Sequence, residues 1–161
     1  MKLLKVVGLM GLLIALSPTR VLADKTIHAR LRGFDEVPAV STTGSGEFRA
    51  KINNDESAIE YELSYDNLEG TTVNAAHIHV GQQGVNGGVS AFLCGGGGKP
   101  LCPLSGTVTG VIFAADVVGP VAQGVAPGEL AELMDAILGG VAYVNVHTNK
   151  HPTGEIRGHV Q

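Results

Sequence analysis

Residues 47–63 read Glu47-Phe48-Arg49-Ala50-Lys51-Ile52, then Asn53-Asn54-Asp55, then Ile59-Glu60-Tyr61-Glu62-Leu63. Phe48, Ala50 and Ile52 alternate with Glu47, Arg49 and Lys51, and Ile59, Tyr61 and Leu63 alternate with Glu60, Glu62 and Ser64. A period of two means that each run has one face for a core and one for water, which is the pattern of an antiparallel strand. Asn53-Asn54-Asp55 has the residues of a hairpin connection between the two runs. Upstream, Ile27, Ala29 and Leu31 alternate with His28, Arg30 and Arg32 in the same way. Downstream, strands are expected around Asn74 to Val80, Gly88 to Leu93, Gly106 to Phe113, Val141 to Thr148 and Glu155 to Val160.

One segment departs from this period. Leu130, Leu133, Met134, Ile137 and Leu138 recur at spacings of three and four, so the stretch from Pro127 through Leu138 reads as a short amphipathic helix crossing between two late strands. Pro127 suits a first helical turn, and Gly139-Gly140 supplies a stop. The fold class is therefore all-β, an antiparallel sandwich or barrel with one short crossover helix over about 127–138.

The first 23 residues have a different character. Lys2 and Lys5 precede the apolar run Val6 to Leu16, and a short polar stretch leads to Val21-Leu22-Ala23, the layout of a secretory signal peptide cleaved after Ala23. The apolar run is well short of the roughly 20 residues a membrane-spanning helix needs, so no permanent membrane anchor is expected. The remaining residues, 24–161, suit one domain with a core of its own. That portion carries 15 acidic residues, and removal of Lys2, Lys5 and Arg20 leaves it strongly acidic, which argues against nucleic acid or an anionic membrane as partner. In an exported chain, secreted or periplasmic, the only two cysteines, Cys94 and Cys102, are best read as a disulfide across the glycine-rich loop between them.

Chemistry concentrates in the histidines. No Ser lies in a Gly-x-Ser-x-Gly elbow, no phosphate-binding loop is present, and the chain contains no Trp to build a stacking platform. Ala76-His77-Ile78-His79-Val80 places two imidazoles on one face of a strand. Alternation likewise gathers Tyr143, Asn145 and His147 on one face of their strand and Glu155, Arg157 and His159 on one face of the next, with Val144, Val146, Ile156 and Val160 toward the core. If these strands are neighbours, His77, His79, His147 and His159 converge beside a carboxylate and a guanidinium, with His151 in the intervening turn able to close the shell. Such a set suits copper or zinc. The competing reading is a hydrogen-bonded polar face in which Glu155 and Arg157 pair. His28, beside Arg30 and Arg32, reads as a solvated neighbour rather than a ligand.

The order Gly33-Phe34-Asp35-Glu36-Val37-Pro38-Ala39-Val40, Gly44-Ser45-Gly46, Ala76-His77-Ile78-His79-Val80-Gly81, Tyr143-Val144-Asn145-Val146-His147-Thr148 and Pro152-Thr153-Gly154-Glu155-Ile156-Arg157-Gly158 resembles the CHRD (chordin-domain) family, found in chordin and in bacterial exported proteins. The resemblance covers nearly all of residues 24–161. It implies an immunoglobulin-like or Greek-key β domain that acts as a binding or structural module, toward a protein, matrix or small ligand, and it supplies no active-site residues. His159 stands where that family's ending has Gln. A fainter resemblance, to copper-zinc superoxide dismutase, rests on His77-Ile78-His79 followed by Gly81 and on a single disulfide. That enzyme needs further histidines soon after its H-x-H strand. Here none lies between His79 and His147, which places a redox enzyme behind both a module without turnover and a metal-binding protein.

Overall fold

The computed structural model describes residues 24–161; the signal peptide read over 1–23 lies outside the described residues. Eight strands form one antiparallel sheet: β1 (Lys25–Arg32), β2 (Ser45–Ile52), β3 (Ile59–Asp66), β4 (Val73–Val80), β5 (Gly88–Cys94), β6 (Gly106–Ile112), β7 (Ala142–Thr148) and β8 (Ile156–His159). Their order across the sheet is β5-β4-β7-β8-β1-β2-β3-β6, and the sheet curls into a nearly closed barrel. Ile27, Ala29 and Leu31 of β1, Phe48, Ala50 and Ile52 of β2, and Ile59, Tyr61 and Leu63 of β3 all point inward and are buried, while their neighbours are exposed or nearly so. The alternation in these strands is thus a direct print of inside and outside. Full burial of a side chain such as Phe48 or Leu63 contributes about 1.5–3 kcal/mol.

The β2–β3 hairpin is longer than its Asn53-Asn54-Asp55 signal, because Asn53 closes it from within. The Asn53 Oδ1 accepts from the backbone N–H of Ser57 at 2.9 Å and of Ala58 at 3.0 Å, so the connection runs on to Ala58 before pairing resumes. The helix is shorter than its sequence pattern. Gly128 takes φ 90°, a left-handed turn that no helix contains, and α1 spans Leu130–Leu138 rather than starting at Pro127. Leu130, Leu133, Met134 and Ile137 face the core, whereas Leu138 is exposed.

The two edge strands, β5 and β6, are consecutive in the chain, so the loop joining them spans the seam of the barrel. That loop carries the Cys94–Cys102 disulfide. Across the same seam the Tyr61 hydroxyl donates to the Leu93 carbonyl at 2.7 Å, and Tyr65 donates to the Pro103 carbonyl at 2.8 Å. The outer edge of β5 is partly covered, since Ala91 bridges Val117 and the Val118 N–H donates to the Ser90 carbonyl at 2.8 Å. Among the described residues, no helix is long and apolar enough to cross a membrane.

Candidate metal centre

The site lies on the outer face of β4, β7 and β8. In β4 the burial pattern loses its alternation, with Ala76, His77, Ile78 and His79 all buried. Ala76 and Ile78 fill the barrel. His77 and His79, each 7% exposed, are covered from outside. His79 is capped by Gly87 of the β4–β5 connection and His77 is flanked by Phe92 of β5, while the turn after β1 braces that connection. Asn86 of the connection donates to the Val37 carbonyl of the turn at 3.0 Å, and the Gly87 N–H donates to the Tyr143 hydroxyl at 3.1 Å.

Register brings the polar residues together. His77 lies opposite Asn145, His79 opposite Tyr143 and Ala75 opposite His147 on β7, while Asn145 and Tyr143 face Arg157 and His159 on β8. One nitrogen from each of His77, His79 and His147 lies within 4.8 Å of the others. His77 Nδ1 is 2.7 Å from His79 Nε2, and His79 Nδ1 is 2.9 Å from the Gly87 carbonyl. A carbonyl only accepts, so His79 carries its proton on Nδ1 and turns a lone pair on Nε2 toward His77. His147 repeats the arrangement. Its Nδ1 is 3.0 Å from the Pro152 carbonyl, leaving Nε2 as the free nitrogen, 2.9 Å from Asn145 Oδ1.

The rings are held neutral. Burial, with His147 and His79 as positively charging neighbours, pushes His77 down to about 3. Burial is also the main reason that His79 falls to about 4, and it lowers His147. Neutral imidazoles are what a metal ion requires of its ligands. Tetrahedral coordination at about 2.0–2.1 Å places nitrogens roughly 3.3 Å apart, so closure on an ion calls for side-chain shifts on the order of 1 Å. Phe92 stands edge-on against His77, its ring centre 5.1 Å away, and Tyr143 stacks on His79 at 4.6 Å with planes 4° apart.

The other residues read from the sequence fall elsewhere. His159 lies on the far side of Tyr143, their ring centres 5.6 Å apart, and His151 sits in the β7–β8 turn with Nε2 buried and unpartnered. Neither joins the three-histidine group. His28 is exposed on β1. Glu155 does not share a face with Arg157, because β8 begins only at Ile156 and Gly154 takes φ 127°, which puts Glu155 in the turn and outside the alternation. Its carboxylate accepts from Thr42 Oγ1 at 2.7 Å, Thr148 Oγ1 at 2.7 Å and the Glu69 N–H at 2.6 Å. Burial opposes its ionisation, but these hydrogen bonds outweigh burial and hold the Glu155 carboxyl below its usual range. The Glu155–Arg157 pair expected from sequence is therefore absent.

Arg157 pairs instead with Glu36, a residue that no periodicity in the sequence singles out. The two approach to 3.0 Å with 2% of each side chain exposed. Arg157 also donates to the Val85 carbonyl at 3.2 Å and to Asn86 Oδ1 at 2.7 Å, and its guanidinium lies 4.1 Å over the Tyr143 ring. Burial raises the Glu36 carboxyl, with Arg157 working against the rise. A buried guanidinium is thus locked into both loops. It fixes the lid over the histidines.

In comparison with known proteins, the family model described as CHRD domain matches residues 27–160. No curated protein and no solved structure matches the chain.

Proposed function

The chain belongs to the CHRD-domain family, and from that premise we propose that it is an exported module, without turnover, that binds a transition-metal ion, copper or zinc, through His77, His79 and His147. The observation that carries this reading is the convergence of the three imidazoles, together with the way two of them are held. His79 and His147 each give the outer Nδ1–H to a backbone carbonyl and aim Nε2 inward. Metal-ligating histidines are characteristically oriented in this way, since the second bond fixes tautomer and ring angle. A hydrogen-bonded polar face alone does not need three neutral rings concentrated under a lid. The burial of His77 and His79 also places them out of reach of a macromolecular partner, so a protein or matrix contact would use other surfaces.

Export is supported by the disulfide, which persists in oxidising compartments. Secretion and periplasmic retention are both compatible with it.

Metal analysis of protein purified without a histidine tag, followed by Zn(II) or Cu(II) titration with thermal unfolding, tests the reading. One equivalent of tightly bound ion is expected, with stabilisation by about 2.7 kcal/mol at a free ion concentration 100 times Kd. A His77→Ala/His79→Ala double variant should lose both. Wild-type protein whose melting is unchanged by either ion would leave the cluster as a hydrogen-bonded structural feature.

A further inference from the structure

Asn145 occupies the centre of the polar face, 1% exposed, between His77 on one neighbouring strand and Arg157 on the other. Its Oδ1 lies 2.9 Å from His147 Nε2. Because His147 Nδ1 gives its proton to the Pro152 carbonyl, the neutral ring presents a lone pair at Nε2. Which end of the Asn145 amide meets that lone pair is decided on the other side. There Arg157, opposite Asn145 in the ladder, holds the Glu36 carboxylate, which only accepts, so the amide NH2 suits that side and Oδ1 faces the imidazoles. Glu36 Oε1 is buried there without a hydrogen-bond partner. Asn145 also stands directly opposite His77 in the β4–β7 ladder, so its amide lies on the face that carries the rings. Two lone pairs facing each other at 2.9 Å repel, and a cation bonded to both atoms removes that repulsion.

We infer that Asn145 Oδ1 is the fourth ligand of the His77, His79 and His147 centre, closing it as a set of three nitrogens and one oxygen. The inference rests on the metal reading above and goes beyond it in two respects. A closed four-ligand shell is the mark of a structural or storage site, whereas catalytic sites keep one position for water or substrate. An amide oxygen in place of a thiolate or thioether favours the divalent ions, Zn(II) and Cu(II), over Cu(I).

Co(II) bound to tag-free protein reports both points through its visible spectrum. The wild-type spectrum should be intense, as tetrahedral Co(II) is, and unchanged by millimolar azide. Asn145→Ala should bind Co(II) more weakly by at least the roughly 10–100-fold that loss of even an outer partner of a ligand costs, and its spectrum should shift with azide as the vacated position takes the anion. Asn145→Asp, which returns an oxygen donor, should restore affinity and insensitivity to azide. Azide binding by the wild type, or an Asn145→Ala variant of unchanged affinity, would overturn the fourth-ligand assignment while leaving the three-histidine centre intact. Should Asn145→Ala fail to fold, the azide response of the wild type decides alone. Absence of Co(II), Zn(II) and Cu(II) uptake by the wild type would remove the metal centre itself, and the assignment with it.

Discussion

At the scale of single residues, His77 and His79 couple the site to acid stability. Burial first, and then neighbouring positive charge for His77, hold them at about 3 and about 4, against an ordinary value of 6.5. In the unfolded chain both take up protons as pH falls through 6.5, while the native rings stay neutral down to their lowered values. The unfolded state therefore binds more protons in that window, and native stability falls with pH at up to about 1.4 kcal/mol per unit for each ring. Above pH 6.5 their contribution is constant. Glu36, raised by burial, acts in the opposite sense above its ordinary 4.5 and offsets part of the loss. Urea midpoints of metal-free protein should drop steeply from pH 6.5 to 4.5, and the drop should flatten in a His77→Gln/His79→Gln variant; equal slopes in the two proteins would refute the assignment. The histidine pair and His147 were legible from spacing alone, since alternation fixes the face of a strand residue. Glu36 was not, because it lies beside a single 3-10 turn over Gly33–Asp35, where no period exists to say which way a side chain points. Glu155 misled for a related reason, its alternation with Arg157 in the sequence having no strand beneath it.

At the scale of elements, the seam between β5 and β6 is where the barrel relies on something other than a ladder. Its closure depends on the Tyr61 and Tyr65 hydroxyl bonds and on the Cys94–Cys102 link. Restricting the unfolded chain with so short a loop accounts for about 2.5 kcal/mol in the chain-entropy picture. Cys94→Ser/Cys102→Ser should lower stability in urea by about that amount. A loss below about 0.5 kcal/mol would show that the tyrosine bonds hold the seam unaided. The existence of each strand was legible because apolar alternation marks it, and the ends came within a few residues. Strand order was not. Nothing local in the chain says that β4 lies beside β7 or that β1 lies beside β8, since those pairings are made by residues distant in sequence. The burial of both faces of β4 was also hidden, because it comes from the β4–β5 loop and Phe92 of β5 packing over histidines whose polar character suggested water.

For the whole molecule, the proposed ion would join only β4 and β7, strands already paired to each other, yet its effect should be global. The three rings meet only when the barrel is formed, so an ion held by them binds the native state and not the unfolded chain. Amides that exchange only through complete unfolding must then slow by one common factor, about 100-fold at a free ion concentration 100 times Kd, wherever they lie. The inward-facing strands β1, β2 and β3 form the continuous meander of the sheet and should hold such amides, although none of them touches the site. Amides of β6, an edge strand paired on one side to β3, exchange by local opening of the seam and should keep their rates. Hydrogen exchange with and without Zn(II) separates this from a purely local effect. Slowing confined to β4 and β7, with β1 to β3 unchanged, would mean that the ion binds a site that survives outside the folded barrel, and the link between barrel closure and metal affinity would fail.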